Sequence, residues 1–593
     1  MKAQKKIARL ALTAGLTATM AFGNVAAPAA MAFAEGTGST VTFADADYAT
    51  STTYKGIQIF KATVTTTGEA TTVSNIEWAS GDVKAGVVAA IKEYEPSYNS
   101  YIAQDAADWL SANAGVSGTD SKVASNNVLS TIAGKLNDSG NWKTTTAGDA
   151  SLSDLEAGYW LFLTAAAGKP ADKSTDAFTS PVYAVIDGTS STTVTPKKGV
   201  PTVEKKILDD NKVKDDLTTV LAEDWKDVAD SQIGQEVNYK LTGTIASNYA
   251  TFSAYAYKFT DELSSSLDYV KDSVVVYAKN GDTYTNIGTE HYSVAYADTD
   301  HTLTVEFKVG DGDKGLKDVE GVTADTQIVV FYKAKLNSGA VIGNAPNGNK
   351  GGNPNTVKLT YSNDPYSEGT GETIEDTVAD FAFRLNLNKV DQGTEQGLAG
   401  AVFAIQSADA NTKDQYIASK ADAALGVVAG QLVTVNDASN LPDCVKFTSA
   451  DDGRIAVSGL DAGSYKVTEV QTPDDTKYTK ANPFTFTITP TYDDSAMKVT
   501  GLTATVSGSD KGRSDIAFGT LDGNAGDNKL TGVDGTGTDA AKGEVTINVG
   551  NTKSVGLPIT GLDGVTLTWI AGGAVLVIGV ARLIRRRRAE SEE

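Results

Sequence analysis

Residues 465–469 read Tyr465-Lys466-Val467-Thr468-Glu469. In an extended strand successive side chains point to opposite faces, so Tyr465, Val467 and Glu469 share one face. The two apolar residues turn that face toward a core, and the carboxyl goes in with them. Working outward, Leu385-Asn386-Leu387-Asn388-Lys389 places a lysine in phase with two leucines. Val545-Thr546-Ile547-Asn548-Val549-Gly550-Asn551 places an amide in phase with three aliphatic residues. One predicted core therefore receives an amine, a carboxyl and an amide. Similar alternating runs, such as Leu303/Val305/Phe307/Val309 and Phe484/Phe486/Ile488, recur from about residue 180 onward between Gly, Asn, Asp and Ser. They predict a mainly β chain of tandem antiparallel sandwiches.

An earlier stretch repeats the arrangement. Lys205 is in phase with Val203 and Ile207, Asp261 with Tyr257 and Phe259, and Asn363 with Val357, Leu359 and Tyr361. A single strand-end lysine or asparagine usually sits where the chain emerges into water. Two triads in the same order, lysine then acid then amide, point to chemistry. Burying an isolated ammonium or carboxylate costs several kcal/mol, which drives lysine toward the neutral amine and the acid toward its protonated form. Deprotonating an ordinary lysine at pH 7 costs roughly 4 to 5 kcal/mol, which desolvation and proton sharing with the acid offset. The neutral amine is a nucleophile, and a protonated Glu469 or Asp261 can polarise the amide and shuttle protons as ammonia leaves. The expected products are isopeptide bonds, Lys205 to Asn363 and Lys389 to Asn551, each made once without turnover.

With 593 residues, 41% of them hydrophobic, the chain has material for several cores. A single cysteine, Cys444, excludes an intramolecular disulfide, and two histidines leave little for His-based catalysis or zinc binding. No metal or cofactor is expected: Asp311-Gly312-Asp313 and the acidic stretch 522–539 lack full EF-hand spacing and read as solvated turns. A net charge of −23 argues against nucleic acid as a partner. Boundaries fall in the Pro- and Lys-containing segment 195–201 and after the polar stretch 364–376, giving domains 35–195, 196–376 and 377–556. The first also carries helical patterns, Val83/Val87/Val88/Ile91, Ala106/Trp109/Leu110 and Val128/Ile132/Leu136, and reads as a β-domain with a helical insertion. Its Leu155-Glu156-Ala157-Gly158-Tyr159 is echoed by Leu460-Asp461-Ala462-Gly463-Ser464-Tyr465, a shared turn-then-strand entry. Leu163 stands where the echo has Glu469. Residues 343–355, rich in Gly and Asn, read as a long loop in the second domain.

The ends carry transport signals. Residues 1–34 run from Lys2, Lys5, Lys6 and Arg9 through an apolar stretch to Ala32-Phe33-Ala34, the pattern of a secretory signal peptide. Residues 557–593 hold Leu557-Pro558-Ile559-Thr560-Gly561, an apolar segment from about 564 to 581 long enough for a transmembrane helix, and Arg582 with Arg585 to Arg588 on its far side.

The C-terminal ensemble resembles the cell-wall sorting signal (LPxTG) of Gram-positive surface proteins. In that family sortase cuts between the residues corresponding to Thr560 and Gly561 and passes the threonine to an amine. The third domain resembles the B-type domain of collagen adhesins through Asn388-Lys389-Val390-Asp391, Leu398-Ala399-Gly400-Ala401-Val402-Phe403 and the E-box-like stretch 465–473, which departs from the usual pattern at Val470. The second resembles the isopeptide-forming fimbrial domain through Tyr257-Lys258-Phe259-Thr260-Asp261 and Leu359-Thr360-Tyr361-Ser362-Asn363, and the first resembles the N-terminal domain of major pilins. These resemblances imply tandem immunoglobulin-like β-sandwiches in a secreted, wall-anchored shaft subunit of a surface pilus. Its implied partners are sortase, further copies of itself, peptidoglycan, companion pilins and a host ligand. Thr195-Pro196-Lys197-Lys198 resembles the Y-P-K motif of shaft pilins, with threonine where tyrosine is usual. The resemblance makes Lys197 the expected acceptor in polymerisation and Lys198 the runner-up. A monomeric wall-anchored adhesin is the alternative; a secreted hydrolase lacks a credible catalytic set.

Overall fold

The alternation read from the sequence forms strands whose apolar faces meet in pairs of sheets. The computed structural model describes residues 10–11, 38–67, 70–115, 122–344, 351–518 and 538–553. The expected signal peptide, apart from Leu10 and Ala11, lies outside the described residues. So does the whole of 557–593, with Leu557, Pro558, Thr560, Gly561 and the expected membrane span. Among the described residues no helix is long and apolar enough to cross a membrane.

The chain builds three successive β-bodies. In the first, Ala70–Trp78, Thr53–Thr67, Gly158–Ala166 and Val182–Ile186 form the main sheet in that order, joined at its outer edge by Leu10–Ala11, and a three-stranded sheet of Ser151–Leu155, Ser39–Phe43 and Thr192–Val194 accompanies it. Between Ala70–Trp78 and Gly158–Ala166 the chain inserts three helices, Gly81–Tyr94, Ala103–Asn113 and Val128–Leu136. The first helix begins at Ser80, whose hydroxyl accepts the Val83 N–H, and Asp82 lies at the positive end of the helix dipole. Its Val83, Val87, Val88 and Ile91 are buried in the shared core with Ala106, Leu110, Ile132 and Leu136. Trp109 is only partly buried against that core.

In the second body, Val203–Leu208, Glu236–Gly243, Gln327–Leu336 and Val275–Asn280 make one sheet. Val228–Asp230, Asp376–Phe381, Asn353–Ser362, Tyr257–Leu263, Thr302–Phe307 and Ser293–Ala297 make the other. In the third, Arg454–Leu460, Phe383–Asp391 and Glu544–Lys553 face a sheet containing Val402–Ser407, Gly463–Gln471, Phe484–Asp493 and Lys498–Val506. Phe383–Asp391 and Glu544–Lys553 run parallel, with Lys389 opposite Val549 and Asp391 opposite Asn551.

Two expectations shift. The expected boundary after residue 376 comes one strand early, because Asp376–Phe381 pairs antiparallel with Asn353–Ser362 and completes the second body's sheet. The polar stretch before it is a loop within the second body that carries the short strand Thr370–Glu372. The expected loop 343–355 also ends sooner: the strand begins at Asn353. The echoed motif is a shared turn, with Gly158 at φ +146° and Gly463 at φ +145°. A Cβ at Gly158 would lie 2.0 Å from the Phe60 carbonyl oxygen, so a side chain is excluded there.

Candidate functional site

In the third body Lys389, Glu469 and Asn551 converge. Each lies on the inward face of its strand, and all three are almost fully buried. Lys389 Nζ donates to Asn551 Oδ1 and, at 3.1 Å, to the Val549 carbonyl. Asn551 Nδ2 donates to Glu469 Oε1 at 2.9 Å, and the Ala481 N–H donates to Glu469 Oε2 at 2.6 Å. Glu469 reaches in from the opposite sheet, its Oε1 3.8 Å from Lys389 Nζ. Burial pushes the Lys389 amine down to about 8 against the opposing pull of Glu469. Burial likewise raises the Glu469 carboxyl, with Lys389 as the main opposing influence. A pKa near 8 leaves about a tenth of the amine neutral at pH 7 and reduces the cost of deprotonation from about 5 to about 1.4 kcal/mol.

The geometry suits acyl transfer. The amine lies at the carbonyl side of the Asn551 amide and the acid at its nitrogen. Attack of Nζ on Cγ, with Glu469 taking the amine proton and delivering one to the departing Nδ2, gives an amide and free ammonia.

The second body joins Lys205 to Asp261 across its two sheets. Lys205 Nζ donates to Asp261 Oδ2 and, at 2.9 Å, to Tyr332 OH. Tyr332 OH donates in turn to Asp261 Oδ1 at 3.1 Å. Burial lowers Lys205 to about 8, against Asp261, and raises Asp261, against Lys205. Burial also holds the Tyr332 hydroxyl well above its usual range, so it keeps its proton.

Asn363 does not join this group. Its Nδ2 donates to the Asp176 carbonyl at 3.1 Å, and its own carbonyl accepts the Phe178 N–H at 2.7 Å, both in the first body. Asn355, eight residues earlier and inside the strand Asn353–Ser362 that ends just before Asn363, takes the expected place. Its Nδ2 donates to Tyr332 OH at 2.6 Å, and its buried Oδ1 has no hydrogen-bond partner. Period two assigns Asn355 and Asn363 to the same face; only the register separates them. Asp261 pairs with Val357 and Leu263 with Asn355, whereas Tyr257, at the far end, pairs with Tyr361. Eight residues of strand separate the two amides by roughly 27 Å. Asn355 falls at the end of the stretch expected as loop, 343–355, where the alternation expected from Val357 onward does not reach it. Tyr332 was also missed, although its phase with Val330 and Ala334 marks it as inward.

The two candidate acceptor lysines differ in setting. Lys197 is half-buried, and its backbone bridges to Ser180 and donates to Thr179 Oγ1 at 2.7 Å. The Lys198 side chain is 8% exposed and is held by Asp45 and Asp176.

Comparison with known proteins gives one family match: residues 383–502 fit the SpaA prealbumin-like fold domain. No curated protein sequence matches the chain. Among solved structures, the T6 backbone pilin of serotype M6 Streptococcus pyogenes is similar at 15% identity and a TM-score of 0.47, covering 88% of this chain and all of that one. The full-length major pilin SpaD of Corynebacterium diphtheriae is similar at 15% identity and 0.42, covering 88% of this chain and 99% of that one. BcpA, the major pilin subunit of Bacillus cereus, is similar at 16% identity and 0.35, covering 69% and 89%. The fold is mainly β, a series of tandem sandwiches, and residues 383–502 of the third body are similar to the SpaA prealbumin-like fold domain.

Proposed function

We propose that the chain is a structural shaft subunit of a covalently polymerised pilus on a Gram-positive cell surface. Sortase would join Thr560 of one copy to Lys197 of the next and finally attach the polymer to peptidoglycan. The subunit is a sortase substrate, and in each of the second and third bodies it performs a single internal event without turnover. The observation that carries this reading is the contact of buried Lys389, Asn551 and Glu469, in a chain that also bears Leu557-Pro558-Ile559-Thr560-Gly561 before an apolar segment and a basic tail. A dry nucleophile, amide and acid in contact suit a load-bearing protein stiffened without disulfides.

In this reading the internal bonds are Lys389 to Asn551, shuttled by Glu469, and Lys205 to Asn355, shuttled by Asp261. Asn355 replaces Asn363 because it shares Tyr332 with the lysine and acid. The choice of Lys197 over Lys198 rests on its place directly after Pro196 in Thr195-Pro196-Lys197-Lys198; the Lys198 amine is engaged by two carboxylates.

Co-expression with a pilus sortase tests the assembly. A ladder of covalent oligomers whose junction peptide joins Thr560 to Lys197 is expected. A ladder that persists in Lys197→Arg would remove that lysine from the scheme, and a monomer attached to peptidoglycan with no ladder would favour the wall-anchored adhesin.

A further inference from the structure

The surroundings of Lys198 in the first body repeat those of Lys205. Lys205 Nζ stands 5.4 and 5.3 Å from the ring centres of Tyr239 and Tyr332. Lys198 Nζ stands 5.3 and 5.4 Å from those of Tyr48 and Tyr54. In both places a tyrosine hydroxyl bridges amine and carboxylate: Tyr54 OH lies 3.0 Å from Lys198 Nζ and donates to Asp45 Oδ2, as Tyr332 does toward Asp261. The first body lacks an acid at the echo position, Leu163, yet it assembles this group from other strands and loops.

What differs is the third member. Where the second body offers the Asn355 amide, the first offers a second carboxyl, Asp176, which is fully buried. Lys198 Nζ donates to Asp176 Oδ2 and, at 2.8 Å, to Asp45 Oδ2. The remaining capacity of Asp176 is filled in a directed way. The Ala177 N–H donates to Oδ1 at 2.8 Å and the Thr52 hydroxyl to Oδ2 at 2.6 Å, with Thr52 itself fixed by the Gly168 N–H at 2.9 Å. One ammonium against two buried carboxylates leaves an uncompensated charge, which is costly unless one carboxyl keeps its proton. Burial raises the Asp176 carboxyl against the opposing influence of Lys198.

We propose that Lys198 Nζ and Asp176 Cγ condense to an amide, a third internal crosslink that releases water where the other two release ammonia. Asp45 first takes a proton from the Lys198 ammonium, and the neutral amine left behind attacks Cγ of the protonated Asp176 carboxyl. Charge developing on Oδ1 faces the Ala177 N–H, and Oδ2 departs as water under the Thr52 hydroxyl. Asp45 gives its proton to that leaving oxygen and then takes the second proton from the new amide nitrogen, with Tyr54 holding it in place. One N–C bond forms, one C–O bond breaks, and the carboxyl and amine together lose one water. The bond would close the short loop 176–198, which contains Lys197. It would pin that segment to residues whose backbone already meets the second body, where the Thr175 N–H donates to Glu372 at 2.8 Å and the Phe178 N–H to Asn363 at 2.7 Å. An acceptor lysine beside a covalent anchor at a junction would be held fixed while a second subunit is joined to it.

Tryptic peptide mapping of the full chain tests this. The expected result is a branched peptide joining Lys198 to Asp176, lighter by one water than its two parts, with cleavage after Lys198 abolished. Asp176→Asn should give the same branched product by losing ammonia, and Lys198→Arg, which keeps a cation between the carboxylates, should give linear peptides. Linear wild-type peptides cleaved after Lys198, or a branch to Asp45, would overturn the assignment. The mapping reads this site separately from Lys205 and Lys389, so its failure is distinguishable from theirs.

Discussion

In the third body the amine and the amide stand on neighbouring parallel strands of one sheet, and the acid comes from the sheet opposite. In the second body the amine stands on one sheet and both the acid and the amide on the other, with Tyr332 between them. The same three groups are thus built into two geometries. Phe383–Asp391 and Glu544–Lys553 are the first and last long strands of the third body, so a bond there would tie the two strands that a pull on the chain would shear. A bond from Lys205 to Asn355 would tie the sheets together and leave Asp376–Phe381 beyond the link.

That difference can be sharpened by removing the amides one at a time. Asn551→Ala should leave the third body uncrosslinked and remove about 5 kcal/mol of loop-closure stabilisation, if a loop of about 160 residues behaves like a disulfide loop. Asn355→Ala should do the same to the second body alone, and Asn363→Ala should leave both crosslinks formed. Calorimetry, with each transition assigned by its variant, reads all three; loss of the second crosslink in Asn363→Ala and its survival in Asn355→Ala would reverse the register argument.

Pulling a single molecule by its ends separates the geometries mechanically. The third body should resist extension until covalent rupture. The second should release residues 356–381, a lengthening of roughly 90 Å at full extension. Release of a whole domain's length from the third body would break the comparison.

Tyr332→Phe removes the hydroxyl shared by Lys205, Asp261 and Asn355. It should slow crosslinking in the second body on the order of 100-fold, the lower end of a general acid–base contribution, and leave the third unchanged. Equal rates after refolding, followed by mass spectrometry over time, would show the hydroxyl to be a bystander.

The smallest effect is the pH response. Burial lowers both lysines to about 8, and the neutral fraction of such an amine rises about tenfold per unit below that value. Crosslinking after refolding should therefore accelerate from pH 6 to 7 by up to about tenfold in both bodies and flatten as pH nears 8. A rate that falls over that range would mean that loss of the proton from Glu469 or Asp261 outweighs the gain in neutral amine.

Much of this was readable from alternation alone. Lys389, Glu469 and Asn551 were found because each is the polar member of an apolar face, and Lys205 and Asp261 likewise. Alternation gives the face of a strand but not the position along it, and so it points to Asn363 without separating it from Asn355. Register depends on pairing with Tyr257–Leu263, and that pairing is not written in the strand itself. The boundary after 376 failed for a related reason: polarity marks where chain meets water, whereas membership in a sheet is decided by a hydrogen-bonded neighbour. The Lys198 group escaped because Asp45, Asp176 and Tyr54 come from separate segments with no common period.

Intact mass tests the central claim most directly. Measured against the mass calculated from its own sequence, wild-type protein should be short by two ammonias more than the Asp261→Ala/Glu469→Ala variant, and each single variant should recover one. A wild-type mass differing from the double variant only by the substituted side chains would contradict autocatalytic crosslinking in both bodies.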